Sequence, residues 1–345
     1  MRRVDLDGLL GLLGRPDELE STVTAGTSPL IVVELPDDSD SWAQLPCFDP
    51  PRWQVLVARA RRPVASAPVL AGFDVLVSDG DDEPRGWVRP GDKSGSLEQI
   101  VATCQQAPLA AATLAQVLRA GDHLTLGESF TLESLAYSML LAGPEFAAWL
   151  GSRRPSAAKQ RPPDAEPVLV EDDGSTVTVI LNRPEVRNAY SAQLRDALVD
   201  VLRGLAALPE PPPVVLRGNG VCFCSGGDLT EFGTTPDPVT AHAVRTSRAP
   251  GLLIHALGDA ATVSVHGPCV GAGTELTGFA AHVEAAPGTT FRLPEVAMGL
   301  LPGAGGTASL PRRIGRHRTA WMALTGAPID VDTAARWGLV DRVTP

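Results

Sequence analysis

The sequence predicts an α/β protein, and three observations carry the prediction. After residue 168, β-branched runs alternate with amphipathic stretches; two of those runs lead into glycine-rich turns; and before residue 151 short β-like runs give way to helical periodicity. The composition shifts at Gly151–Pro167 (GSRRPSAAKQRPPDAEP), which is rich in Pro, Ala and charge and has no apolar period. At 345 residues the chain is longer than one average domain. Residues 1–150 therefore read as an N-terminal α/β region ending in helices, 151–167 as an exposed linker and 168–345 as a second α/β unit.

In the first region Leu30–Leu35, Val55–Ala58 and Phe73–Val77 are strand-like and are separated by Pro, Asp and Gly. Leu97, Ile100, Val101 and Cys104 then mark one helical stripe. Leu109, Leu114, Val117 and Leu118 mark a second, behind Pro108 at a first-turn position. Thr125 and Glu128 have the spacing of a capping box and precede the stripe Phe130, Leu132, Leu135 and Met139. In the second region Thr176–Leu181, Pro213–Leu216 and Ala261–Val265 are strands. Ser191 caps a helix whose apolar face is Leu194, Leu198, Val201, Leu202 and Leu205, and Ala261–Val265 feeds the glycine-rich stretch Gly267–Gly273, with an amphipathic segment from Thr274.

Charge narrows the function classes. The net charge of −11 argues against a broad nucleic-acid surface, which needs concentrated Lys and Arg. No apolar run approaches the ~20 residues of a membrane span, and the start of the chain has no signal-peptide core, so a cytoplasmic protein without membrane partners is expected. The five cysteines (Cys47, Cys104, Cys222, Cys224, Cys269) lack a repeated ligand spacing, so neither a disulfide framework nor a metal site is expected. Cys222 and Cys224 read as a packed strand, and His266 as structural. Gly271-Ala272-Gly273 fails as a dinucleotide loop, because the sixth position is Leu276.

Three segments carry the chemistry: Phe223–Leu229 (FCSGGDL), His266–Leu276 (HGPCVGAGTEL), and Leu293-Pro294-Glu295 followed by Gly299–Thr307 (GLLPGAGGT). Small residues where strands turn into helices let a ligand approach the backbone and leave N–H groups free to donate. Two such donors on one oxygen make an oxyanion hole, where losing one donor costs about 2.7–4 kcal/mol of transition-state stabilisation.

With these segments in order, the chain from about Ser175 to Pro345 resembles the enoyl-CoA hydratase/isomerase (crotonase) superfamily. Leu181–Ala189 (LNRPEVRNA) resembles its first strand and CoA-contacting turn, and Leu324–Val340 its late helix-and-turn pattern. The resemblance implies a crotonase-like ββα superhelix core for the C-terminal half. It also implies that the N–H groups of Gly227 and Ala272 hold a thioester oxygen, while Glu275 and Glu295 flank the α and β carbons as base and acid. It places Arg187, Asn188, Ala189, Ser225, Gly226, Asp228, Gly271 and Gly303 as substrate or CoA contacts. Ala272 stands where many relatives have glycine, which would narrow the pocket, and His266 replaces a common asparagine. The implied activity is reversible hydration of a 2-enoyl-CoA. Isomerisation, another acyl-CoA lyase or hydrolase reaction, and non-catalytic acyl-CoA binding remain as alternatives. No cofactor beyond the CoA of the substrate is implied, and a homo-oligomer is expected.

Relatives continue past the point matching Pro345 with helices that cover the site. Pro108–Pro155 resembles those helices, and Gly72–Pro90 faintly resembles Gly278–Pro294. Two readings stay open: residues 1–160 are a degenerate crotonase-like copy whose helices cover the C-terminal site, or they are an unrelated α/β module on a flexible linker.

Overall fold

β-Branched runs supply the strands of two largely parallel sheets, and a layer of helices lies between the N-terminal sheet and the C-terminal half. The computed structural model describes residues 1–15, 28–50, 53–91, 95–153 and 166–344. Most of the linker expected at 151–167 falls on 154–165, outside these residues.

The N-terminal part runs β1 (Arg2–Asp5), α1 (Leu6–Leu13), β2 (Leu30–Glu34), β3 (Val55–Ala60), β4 (Val75–Ser78) and β5 (Trp87–Val88). The five strands lie side by side in sequence order, each parallel to the next. Leu30, Val32, Val55, Val57 and Val75 face one core, while Ile31, Val33, Leu56 and Leu76 face another under α1 and Trp42. Burial on both faces is why these runs are apolar throughout rather than alternating. Phe73 is not in a strand: it ends a 3₁₀ turn at Pro68–Gly72, started by Pro68, and β4 begins two residues later.

Four helices follow, α2 (Leu97–Gln106), α3 (Pro108–Gly121), α4 (Leu126–Leu141) and α5 (Pro144–Ser152). The capping box opens α4: the Glu128 N–H donates to Thr125 Oγ1 at 3.3 Å and the Thr125 N–H to Glu128 Oε2 at 2.9 Å. The stripe read from the sequence is only partly the buried face. Leu135 is 52% and Met139 53% exposed, whereas Ser129, Phe130, Glu133, Ser134 and Ser138 are buried. Polar groups turn inward because partners wait for them there, and that face carries the function discussed below.

The C-terminal part runs β6 (Val168–Asp172), β7 (Val177–Leu181), α6 (Ala192–Ala206), β8 (Val214–Gly218), α7 (Pro238–Ser247), α8 (Pro250–Ala256), β9 (Ala261–Val265), β10 (Pro268–Val270), α9 (Ala272–Thr277), β11 (His282–Ala285), β12 (Thr290–Arg292), α10 (Gly306–Ile314), α11 (Arg316–Thr325), β13 (Ile329–Asp330), α12 (Val331–Trp337) and β14 (Arg342–Val343). Six strands form a sheet in the order β14-β11-β9-β8-β7-β6, parallel except for β6 at its edge, and β10, β12 and β13 form a second. Ser191 caps α6, its Oγ accepting the Leu194 N–H at 3.2 Å, a contact worth about 1 kcal/mol. No helix among the described residues is long and apolar enough to cross a membrane.

One apolar core joins the two parts: Val32, Val57 and Val77 belong to the same cluster as Leu276, Leu301 and Trp321. Charged side chains of α11 reach into the N-terminal part. The Arg316 guanidinium donates to the carbonyls of Phe73 and Ala71, and that of Arg318 to the carbonyl of Trp87. Helix α4 lies across α7 and α10, directly over the glycine-rich segments.

Candidate active site

The frame of the site starts at the turn after β7. Arg187 and Asn188 sit in the left-handed region at φ 57° and 53°, the two non-glycine residues among those described to do so. Such conformations cost about 1–3 kcal/mol each. The Asn188 side chain holds them: Oδ1 accepts the Arg183 N–H at 2.8 Å, and Nδ2 donates to the carbonyls of Asn219 and Cys222 at 2.9 and 3.0 Å. The turn then laces onto the first glycine segment. Ser225 N–H donates to Arg187 O, Tyr190 N–H to Gly226 O and Asp228 N–H to Tyr190 O, at 2.8–3.0 Å. Gly227 N–H donates to nothing among the described residues.

Val270 N–H donates to Cys224 O at 3.0 Å and Gly271 N–H to Arg292 O at 2.8 Å, which fixes the second segment beside the first. Gly271 has φ 51°, and a Cβ there would stand 2.5 Å from Glu295 Oε1, so only glycine fits. Helix α9 begins at the next residue. The Ala272 N–H is therefore one of the unsatisfied donors of a helix start and has no acceptor among the described residues.

Glu275 is 2% exposed, and its Oε2 accepts N–H donors from Ala304 and Gly306 at 2.7 and 2.8 Å. Burial pushes its carboxyl up to about 7, against the opposing pull of the Gly306, Ala304 and Gly303 amides. Glu295 lies in the 3₁₀ turn Glu295–Met298, and its Oε2 is buried with no partner. Burial first, and the neighbouring Glu275 second, raise it well above the usual carboxylate range. Both carboxyls therefore hold their protons to higher pH than an exposed glutamate does.

These elements line one cavity of about 210 Å³, which takes in Gly227, Asp228, Ala272, Glu275, Glu295 and Gly303. The structure thus brings together the two proposed oxyanion donors, the two glutamates, Asp228 and Gly303. Arg187, Asn188, Ala189, Ser225, Gly226 and Gly271 are not among the residues that line the cavity: Arg187 is exposed, Asn188 is fully buried in its brace, and Gly271 lies against Glu295. His266 also lies outside the wall, its Nε2 2.9 Å from Gly220 O.

The side chains that complete the wall lie outside the three chemistry-bearing segments read from the sequence. Tyr190, Phe232, Arg245 and Arg248 come from the C-terminal part, and Phe130, Tyr137 and Leu141 from α4. Tyr137 packs its ring against Gly303 so closely that a Cβ there would overlap it. Arg245 covers Tyr137, with its guanidinium carbon 4.4 Å from the ring centroid, and donates to Ser134 and Ser138 on α4. Below them the Glu133 carboxylate accepts N–H donors from Gly305 and Thr307. Among the described residues no group of three or more His, Cys, Asp or Glu is placed to hold a metal ion.

Two unengaged amides and two buried carboxyls therefore line one cleft. The model of the Enoyl-CoA hydratase/isomerase family matches residues 171–345, about half of the chain, and the chain belongs to that family. It is 34% identical over 180 residues to the enoyl-CoA isomerase/hydratase fer4 of Mycosarcoma maydis, covering 48% of this chain and 64% of that protein. It is 33% identical over 178 residues to the 2,3-dehydroadipyl-CoA hydratase of Escherichia coli, covering 52% and 69%. A crystal structure of an enoyl-CoA hydratase from Mycobacterium smegmatis matches with 32% identity, 52% of this chain, 70% of that chain and a TM-score of 0.47. The chain spans less than two thirds of the length of the first of these relatives.

Proposed function

We propose that this site adds water reversibly to a 2-enoyl-CoA thioester. The observation that carries the reading is the shared cavity: Gly227 and Ala272, whose amides are unengaged, and Glu275 and Glu295, whose buried carboxyls are pushed upward, all line it.

Water adds poorly to an isolated double bond. Conjugation with a thioester carbonyl lets the electron pair displaced by attack at Cβ move to the carbonyl oxygen, where the two N–H donors stabilise it. Ionised Glu275 takes a proton from the water as its oxygen bonds to Cβ. Protonated Glu295 delivers a proton to Cα as the enolate collapses. Both glutamates are buried, and burial raises both carboxyls above the usual carboxylate range. Arg187 is exposed on the turn after β7, a placement open to a CoA phosphate outside the cleft.

The test mixes the full chain with 2-enoyl-CoAs of short, medium and bulky acyl groups and follows loss of the conjugated thioester absorbance. Glu275→Gln and Glu295→Gln should each lower kcat by about 100-fold or more, the scale of a lost general acid or base. Wild-type rates in both variants would defeat the acid/base roles. A shifted double bond without water uptake would mark an isomerase, a cleaved thioester a hydrolase, and binding without turnover a non-catalytic protein.

A further inference from the structure

The described structure holds a third buried carboxylate at the same place, and it comes from outside the span matched by the family. Glu133 is 1% exposed in the middle of α4. Its Oε1 accepts the Gly305 N–H at 2.6 Å, and its Oε2 accepts the Thr307 N–H and the Thr307 hydroxyl, each at 2.7 Å. Glu275 Oε2 accepts the N–H groups of Ala304 and Gly306. Four consecutive amides, 304 to 307, are therefore divided alternately between two carboxylates from opposite sides of the chain.

An ordinary helix start needs one small capping side chain. Two acids interleaved on a single start are held close together, and like charges at that range oppose each other's ionisation. We propose that Glu133 is a positioning residue of the active site, sharing with Glu275 the amides that open α10 and governing the charge Glu275 can carry. This rests on the hydratase reading for its catalytic meaning, although the coupling itself does not.

Several groups face the pair. Glu275 comes from α9, Glu295 from its own turn, Tyr137 from the next turn of α4 and Arg245 from α7. Arg312 of α10 and His242 of α7 reach the neighbouring Ser129 and Ser134. Arg245 is the cation whose charge Glu133 favours, yet it forms no ion pair with either acid among the described residues; its guanidinium donates to Ser134 and Ser138. No described cation neutralises the pair directly, so the charges regulate each other. Burial, then Glu275, push Glu133 up to about 8, a direction that agrees with this geometry. The Thr307 hydroxyl can donate to Glu133 when it is ionised or accept from it when it is protonated, so the contact survives in both states.

A helix cap and a regulator of Glu275 predict different results. Titration of the full chain labelled with ¹³C at its glutamate δ-carboxyls reads protonation without any turnover, with Glu275→Gln identifying the Glu275 signal. In Glu133→Gln the Glu275 carboxyl should lose its proton in a single step centred about half a unit or more lower in pH, because the second acid that otherwise shares the ionisation and spreads it upward is gone. The acid limb of the pH–rate profile should move down with it. Thr307→Ala, which removes a donor that favours ionised Glu133, should move the Glu275 signal the same way by less, and it decides the matter if Glu133→Gln does not fold. A Glu275 titration unchanged in the folded variants, with only the melting temperature lowered, would reduce Glu133 to a cap and overturn the proposal. If no enoyl-CoA is turned over but the signal shifts, the hydratase reading falls and the coupling stands.

Discussion

Both halves of this molecule build parallel sheets largely in chain order, and both bury acids, but they treat those acids in opposite ways. In the N-terminal part Asp74, with its side chain 1% exposed, meets the Arg119 guanidinium at 2.5 Å and the Leu56 N–H at 2.8 Å. In the C-terminal part Glu275 and Glu295 form no ion pair among the described residues, and burial raises both carboxyls above the usual range. A paired buried acid is a structural fastening. An unpaired one at a cavity wall stays ready to exchange a proton. Glu133 belongs to the first half by sequence and to the second by behaviour.

The sharpest way to break this comparison is to remove one acid of each kind. Asp74→Asn strands buried positive charge and should cost about 3–5 kcal/mol in denaturant unfolding. Glu275→Gln removes an acid that burial already disfavours, so at pH 8 it should leave stability equal or higher; a loss there as large as that of Asp74→Asn would erase the distinction. Asn188→Ala comes next. It abandons the three hydrogen bonds that hold two left-handed residues, and should lower stability by about 1–3 kcal/mol and blunt turnover, read by calorimetry and the absorbance assay.

The pH dependence follows from the direction of the shifts. The folded pKa values of Glu133 and Glu275 lie above the ordinary carboxylate value, at about 8 and about 7. The folded state therefore holds more protons than the unfolded state across that window, and stability falls as pH rises. Their contribution is full below the unfolded pKa and is lost as pH rises through the folded values. Melting temperature should decline from pH 5 to pH 8, and the decline should flatten when both residues are changed to Gln; an unchanged slope in that double variant contradicts the shifts. The smallest effect is expected at Met139, whose side chain is mostly exposed on the outer face of α4: Met139→Lys should change stability by no more than about 0.5 kcal/mol.

That last residue also shows why part of the site was hidden in the sequence. The glycine segments and both glutamates were legible because each motif is local: a strand, a small-residue turn and an acid within a few positions. Most long strands and the caps at Thr125 and Ser191 were legible for the same reason. Short strands such as β5, β10 and β12–β14 span two or three residues and carry no period to read. On α4 the apolar spacing of Leu135 and Met139 pointed outward. The inner face owes its burial to Glu133, Ser134 and Ser138, whose partners lie 107 to 174 residues away. Contacts of that range leave no mark in a window of sequence, so the resemblance could offer a covering helix within Pro108–Pro155 as one reading but not the meeting of Tyr137 with Arg245 at the wall.

The most direct test of the account is a crystal structure of the full chain with an unreactive saturated acyl-CoA. The thioester oxygen is predicted to lie roughly 2.7–3.1 Å from both the Gly227 and Ala272 nitrogens, with the Glu275 and Glu295 carboxyls on the acyl carbons next to it. A thioester oxygen bound elsewhere, or an acyl chain lying outside the wall formed by α4, would contradict the account.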